Sequence, residues 1–67
     1  MKLEDFGLNV KKERTKQNIS AYELSLRLGK DSSYVSKLEK GKINVSLKMI
    51  DNIAQILNIP IENLFKK

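Results

Sequence analysis

The chain has 67 residues, no cysteine and no histidine, which is room for one domain near the lower limit for folding on a single core. Disulfides, thiolate or imidazole metal sites and catalysis by Ser–His or Cys–His pairs are excluded on those counts. A net charge of +5 points toward an anionic partner. No apolar run approaches the ~20 residues of a membrane helix and no secretory leader is visible, so the expected location is the cytoplasm.

In chain order, Leu3, Phe6, Val10 and Arg14 recur at helical spacing and predict a first helix from Lys2 to Gln17. Gly7 inside it costs about 1 kcal/mol relative to alanine, so close packing is expected to compensate there. Asn18 is placed to end the helix in the left-handed conformation, with Ile19 packing back. Ser20 opens a second helix with a capping box closed by Glu23, and Leu24 and Leu28 share its inner face. Gly29 ends that helix, and Asp31 or Ser32 caps the next, in which Val35 and Leu38 turn inward before Gly41. Ser25 is small enough to let these two helices approach closely. Two short helices joined by a tight turn over residues 20–41 make a helix-turn-helix, whose second helix is the usual major-groove reader.

Lys42 to Val45 reads as a loop. Ser46 caps a fourth helix with Ile50, Ile53, Ala54 and Leu57 on its inner face, and Asn58-Ile59-Pro60 breaks it. Pro60 suits the first turn of a last short helix from Ile61 to Phe65, beyond which Lys66 and Lys67 are expected to fray. The predicted fold is all-α, with five short helices in one domain over residues 1–67. Its expected core is Phe6, Val10, Ile19, Leu24, Leu28, Val35, Leu38, Ile50, Ile53, Leu57, Leu64 and Phe65.

The positive charge concentrates around the helix-turn-helix. From Lys11 to Lys48 there are ten Lys or Arg against Glu13, Glu23, Asp31 and Glu39. The outward residues of the second helix-turn-helix element are Ser32, Ser33, Tyr34, Ser36 and Lys37, the candidates for reading base edges. Lys37 can donate to guanine O6 and N7, serine hydroxyls can donate or accept, and Tyr34 offers a ring to a thymine methyl or a hydroxyl to a phosphate. Backbone N–H groups near Ala21 can face a phosphate.

Leu24, Leu28-Gly29, the string Val35-Ser36-Lys37-Leu38-Glu39-Lys40-Gly41, Arg14 upstream, and Leu57-Asn58-Ile59 and Leu64-Phe65 downstream resemble the Cro/C1-type (XRE, phage-repressor-like) helix-turn-helix family. The resemblance runs from about Phe6 to Phe65. It implies a compact five-helix fold like that of lambda repressor and binding of double-stranded DNA by a small transcriptional regulator, expected to be a repressor. Ser32, Ser33 and Lys37 match the family's base-contacting positions, and the loop carrying Lys40, Lys42 and Asn44 corresponds to one that follows the sugar-phosphate backbone. Arg14 and Glu39 match two positions that meet as an ion pair. Two departures matter: Ala21 stands where the family often has a phosphate-anchoring glutamine, an anchor left to another group such as Tyr22, and Val45 replaces a frequent proline.

One monomer reads few base pairs, so a homodimer on paired half-sites is expected. The resemblance puts its contact near Ile59-Pro60-Ile61, with Ile56, Asn58, Ile59 and Ile61 as the interface; completion of the monomer core is the other use for these isoleucines. No cofactor or metal is implied, and scattered carboxylates without a phosphate loop give no enzyme. The alternative function is a protein-interaction module, such as an antitoxin or partner-binding regulator, in which Leu8, Tyr22, Leu26, Met49 and Ile56 form an apolar surface and DNA contact is secondary.

Overall fold

Among the described residues every α-helix ends at a residue with positive φ, and these four ends set the architecture. The computed structural model describes residues 2–66 as α1 (Leu3–Lys16), α2 (Ala21–Arg27), α3 (Tyr34–Glu39), α4 (Leu47–Leu57) and a C-terminal 3-10 helix (Ile61–Phe65). The terminating residues are Asn18 (φ 57°), Gly29 (73°), Gly41 (72°) and Asn58 (54°). Just past each, a backbone N–H returns to the carbonyl five positions back: Ile19 to Arg14, Lys30 to Ser25, Lys42 to Lys37 and Ile59 to Ala54, at 3.0–3.2 Å. Carbonyls that would otherwise be orphaned are satisfied, and the chain turns sharply enough to fold four helices into a small volume.

The starts differ from expectation in detail. The Ser20 and Ser46 hydroxyls accept from the Glu23 and Met49 amides, each at 3.0 Å. Only half of the Ser20 capping box forms, because the Glu23 carboxylate pairs with Arg27 one turn on instead of reaching back. α3 begins at Tyr34, and its entry is organised by Asp31. That carboxylate accepts from the amide of Ser33 at 2.9 Å and from its hydroxyl at 2.7 Å. The N-cap position is Ser33, without a side-chain cap hydrogen bond, so the cap expected of Asp31 or Ser32 does not form and Asp31 shapes the turn ahead of the helix instead. The last element is wound as a 3-10 helix, a geometry common in pieces this short.

Phe6, Val10, Leu24, Val35, Leu38, Ile53, Leu57 and Leu64 are at most 2% exposed and form the centre of the core, with Ile19, Ile50 and Ala54 around them. Two expected core residues sit further out. Leu28 is half-buried, and Phe65 is 44% exposed because Leu64 takes the inward position of that single turn. The Phe65 ring still lies against Phe6, with centroids 6.2 Å apart. Lys66, expected to fray, is tethered: the buried Asn9 amide on α1 donates to its carbonyl and, at 3.0 Å, to that of Leu64. Lys67 lies outside the described residues. Gln17 makes a second clamp, donating at 2.6 Å to the Leu57 carbonyl at the end of α4. Among the described residues no helix is long and apolar enough to cross a membrane.

Gly7 has the close packing that its helix propensity demands. A Cβ there would fall 2.5 Å from the carbonyl oxygen of Glu39 and 2.7 Å from its Cα, so α1 lies directly on the end of α3. Gly7→Ala is expected to destabilise the fold by about 1–3 kcal/mol in denaturant melts, since overpacking against backbone outweighs the ~1 kcal/mol gain in helix propensity. A raised midpoint would show that α1 and α3 can separate at no penalty.

Candidate nucleic-acid interface

The interface is built around α3, and three contacts fix where that short helix sits. Ser25 on α2 is fully buried, the one polar side chain at the centre of the core. Its hydroxyl donates to the Ala21 carbonyl at 2.8 Å and accepts from the Val35 amide at 2.9 Å. Val35 lies in the first turn of α3, where amides have no intrahelical acceptor, so Ser25 caps α3 from a neighbouring helix. Its small size was legible in the sequence, but its hydroxyl had no visible partner ten residues away.

The second contact is the ion pair of Arg14 and Glu39. Arg14 Nε donates to Glu39 Oε2 at 2.7 Å and Nη2 to Oε1 at 2.9 Å, while Nη1 donates to the Ile19 carbonyl at 2.9 Å. Both side chains are about nine-tenths buried. Hydrogen bonding to Glu39 raises the Arg14 pKa above its ordinary value against the opposing effect of burial. The pair ties α1 to the end of α3 beside the Gly7 contact, and Ser25 holds the beginning.

With both ends held, the start of α3 and the turn before it present Ser32, Ser33 and Lys37 to solvent. Ser33 is not a free hydroxyl, since its hydrogen is engaged by Asp31, and it offers lone pairs outward. The Ser33 hydroxyl and then its amide hold the Asp31 carboxyl below the usual carboxylate range. Tyr34 is half-buried, its ring packed partly against the core with Lys30 Nζ 5.4 Å from the centroid. Burial pushes its phenol up, which keeps the hydroxyl protonated. Ser36 is half-buried and faces a cleft that it lines with Leu8, Lys11, Arg14, Ala21, Glu39 and Lys40.

Around this edge Tyr22 is 60% exposed, and Lys40, Lys42 and Asn44 are exposed in and after the last turn of α3. Ala21 is half-buried beside the cleft. Of the residues near the end of α4, Ile56 and Ile59 are half-buried and pack partly on the core, whereas Asn58 and Ile61 are exposed. They fall within six consecutive residues, from the end of α4 to the start of the C-terminal 3-10 helix. Among the described residues no group of acidic side chains could hold a metal ion.

A helix-turn-helix family model matches residues 10–64. The chain belongs to the Cro/C1-type helix-turn-helix family. This helix-turn-helix chain is 41% and 36% identical over 56 residues to two uncharacterised HTH-type transcriptional regulators from Archaeoglobus fulgidus, covering 84% of this chain and 79% and 80% of theirs. Its structure is similar to the restriction-modification controller protein C.AhdI from Aeromonas hydrophila, with a TM-score of 0.86 at 38% identity over 94% of this chain and 91% of that one. The clp gene regulator ClgR from Corynebacterium glutamicum has the same fold, with a TM-score of 0.88 at 21% identity over 94% of this chain and 67% of that one. This Cro/C1-type chain is thus a DNA-binding domain of the kind that regulates transcription.

Replacing Arg14 by methionine leaves the Glu39 carboxylate buried without its partner, a situation that costs about 3–5 kcal/mol. Arg14→Met is therefore expected to unfold at lower denaturant than the double variant Arg14→Met with Glu39→Met. Loss of the Ile19 contact is common to both and cancels in the comparison. Strictly additive effects of the two single changes would show that the pair is not coupled.

Proposed function

We propose that the chain is a small transcriptional repressor that reads duplex DNA as a homodimer, with the start of α3 in the major groove. The observation that carries this reading is the rigid seating of α3 at both ends with an exposed polar edge between. Lys37 donates to guanine O6 and N7, and Ser32 contributes a hydroxyl to the neighbouring base edge. Ser33 presents acceptor lone pairs and so favours an amino-bearing edge, cytosine or adenine. Tyr34 braces the edge with its ring and directs its hydroxyl to a base or phosphate at the groove wall. Tyr22, Lys40, Lys42, Asn44 and the first-turn amides beginning at Ala21 face phosphates along the two strands.

The homodimer forms through Ile56, Asn58, Ile59 and Ile61, at the end of α4 and the start of the C-terminal 3-10 helix. A two-fold contact there sets the two α3 helices about 34 Å apart, one turn of DNA. The likeness to C.AhdI, which extends over nearly the whole of both chains, supports a controller role for a chain of this size. The exposure of Leu8 (56%) and Leu26 (51%) favours a second reading, in which a protein partner covers an apolar surface. Salt separates the two, because DNA affinity falls steeply with ionic strength and an apolar contact does not.

Selection of bound duplexes from a random library is expected to yield a site with two-fold symmetry. On that site Lys37→Ala should lose about 1–3 kcal/mol while affinity for random duplex changes little, because a base-edge contact is removed. Equal losses on both duplexes would make Lys37 a phosphate ligand. In sedimentation, the wild type is expected to run as a dimer at micromolar concentration and Ile61→Asp as a folded monomer. A monomeric wild type that still binds a paired site would overturn this interface.

A further inference from the structure

The cleft between α1, Ala21 and α3 has an electrostatic character that the reading edge alone does not explain. It has a volume of about 440 Å³ and is lined by the cations Lys11, Arg14 and Lys40 against one carboxylate, Glu39. Arg14 and Glu39 neutralise each other, and the guanidinium also donates from Nη1 to the Ile19 carbonyl. That leaves Lys11 and Lys40, both exposed, and among the described residues neither is in a salt bridge. Two unpaired ammonium groups, one on α1 and one just past the end of α3, thus share one concavity, where low-dielectric walls strengthen their pull on an anion. Ser36 adds a hydroxyl, and Ala21, with only a methyl group, leaves the space open.

We propose that this cleft seats one phosphodiester of the DNA backbone, held between Lys11 and Lys40 with Ser36 as an additional donor. The assignment rests on α3 being the reading helix. Ser36 directly precedes Lys37, so a duplex that offers a base to Lys37 brings a flanking strand alongside the cleft. A phosphodiester has two non-bridging oxygens, which matches two ammonium donors, and both lysines can act as point charges with no fixed fork geometry. Lys11 thereby becomes a DNA ligand contributed by the first helix, outside the helix-turn-helix. Ser36 becomes a positioning contact to the backbone and not a reader of sequence.

The test is the salt dependence of duplex binding by the full chain, on the selected site and on a random duplex, for wild type, Lys11→Gln, Lys12→Gln and Ser36→Ala. Lys12 is the control, since it carries the same charge on the same helix but lines a separate pocket with Asp5, Leu8, Asn9 and Lys66. Lys11→Gln is expected to reduce the slope of log K against log salt by about 0.9 and to weaken both duplexes by the same factor, with Lys12→Gln leaving the slope unchanged. Ser36→Ala should weaken both duplexes alike, by about 2- to 10-fold. A Lys11→Gln slope equal to that of wild type or of Lys12→Gln overturns the cleft assignment, as does a Ser36→Ala loss confined to the selected site. A wild type with no salt-dependent duplex affinity overturns the DNA-reading function as well, which distinguishes the two failures.

Discussion

Everything this chain presents to a partner depends on holding a six-residue helix that could not hold itself. α3 has too few residues to be stable in isolation, because helix nucleation is unfavourable and short helices in water are marginal. Its position comes from neighbours: the Ser25 hydroxyl on the Val35 amide at one end, and the Arg14–Glu39 pair with the Gly7 approach at the other. Val35 and Leu38 supply the apolar anchor between these polar fixings, each at most 1% exposed. The proposed reading edge is therefore preorganised, and little side-chain or backbone ordering is left for a binding step.

The same arrangement explains the distribution of charge. In an interior this small, burying an arginine and a glutamate would be unfavourable if either were alone, and their bidentate geometry with the Ile19 carbonyl satisfies both. With that pair internally neutral, the positive charge on and beside α3 is carried by exposed lysines: Lys11, Lys37, Lys40 and Lys42. Asp31 is the exception on this edge, and its carboxylate is occupied in shaping the turn through Ser33. Structural electrostatics and binding electrostatics are thus separated by burial.

Two further clamps, Asn9 on the C-terminal segment and Gln17 on the end of α4, show how a chain without cysteine closes its fold. Each is an amide placed on a carbonyl that its own helix leaves without an acceptor role, 40 or more positions away. They join the first helix to the last two elements and keep the exposed Ile61 and Phe65 in a fixed position on the surface.

What the sequence determined by itself was whatever depends on local rules. Apolar spacing located the helices, and Asn18, Gly29, Gly41, Ser20 and Ser46 marked where most of them start or stop, because cap chemistry acts within five residues. The family resemblance added that Arg14 and Glu39 belong together. Tertiary structure decided what lies beyond that range. The return bond of the Glu23 box was lost to Arg27, a competitor one turn away. Phe65 moved to the surface because Leu64 filled the one inward position of a short 3-10 turn. Ser25 gained its role from an amide on the next helix, and Asn9 and Gln17 theirs from carbonyls at the far end of the chain, while Ser36 and Lys11 came to line one cleft. None of these pairings has a sequence period, since each depends on how helices cross, and that is fixed only when the whole core packs.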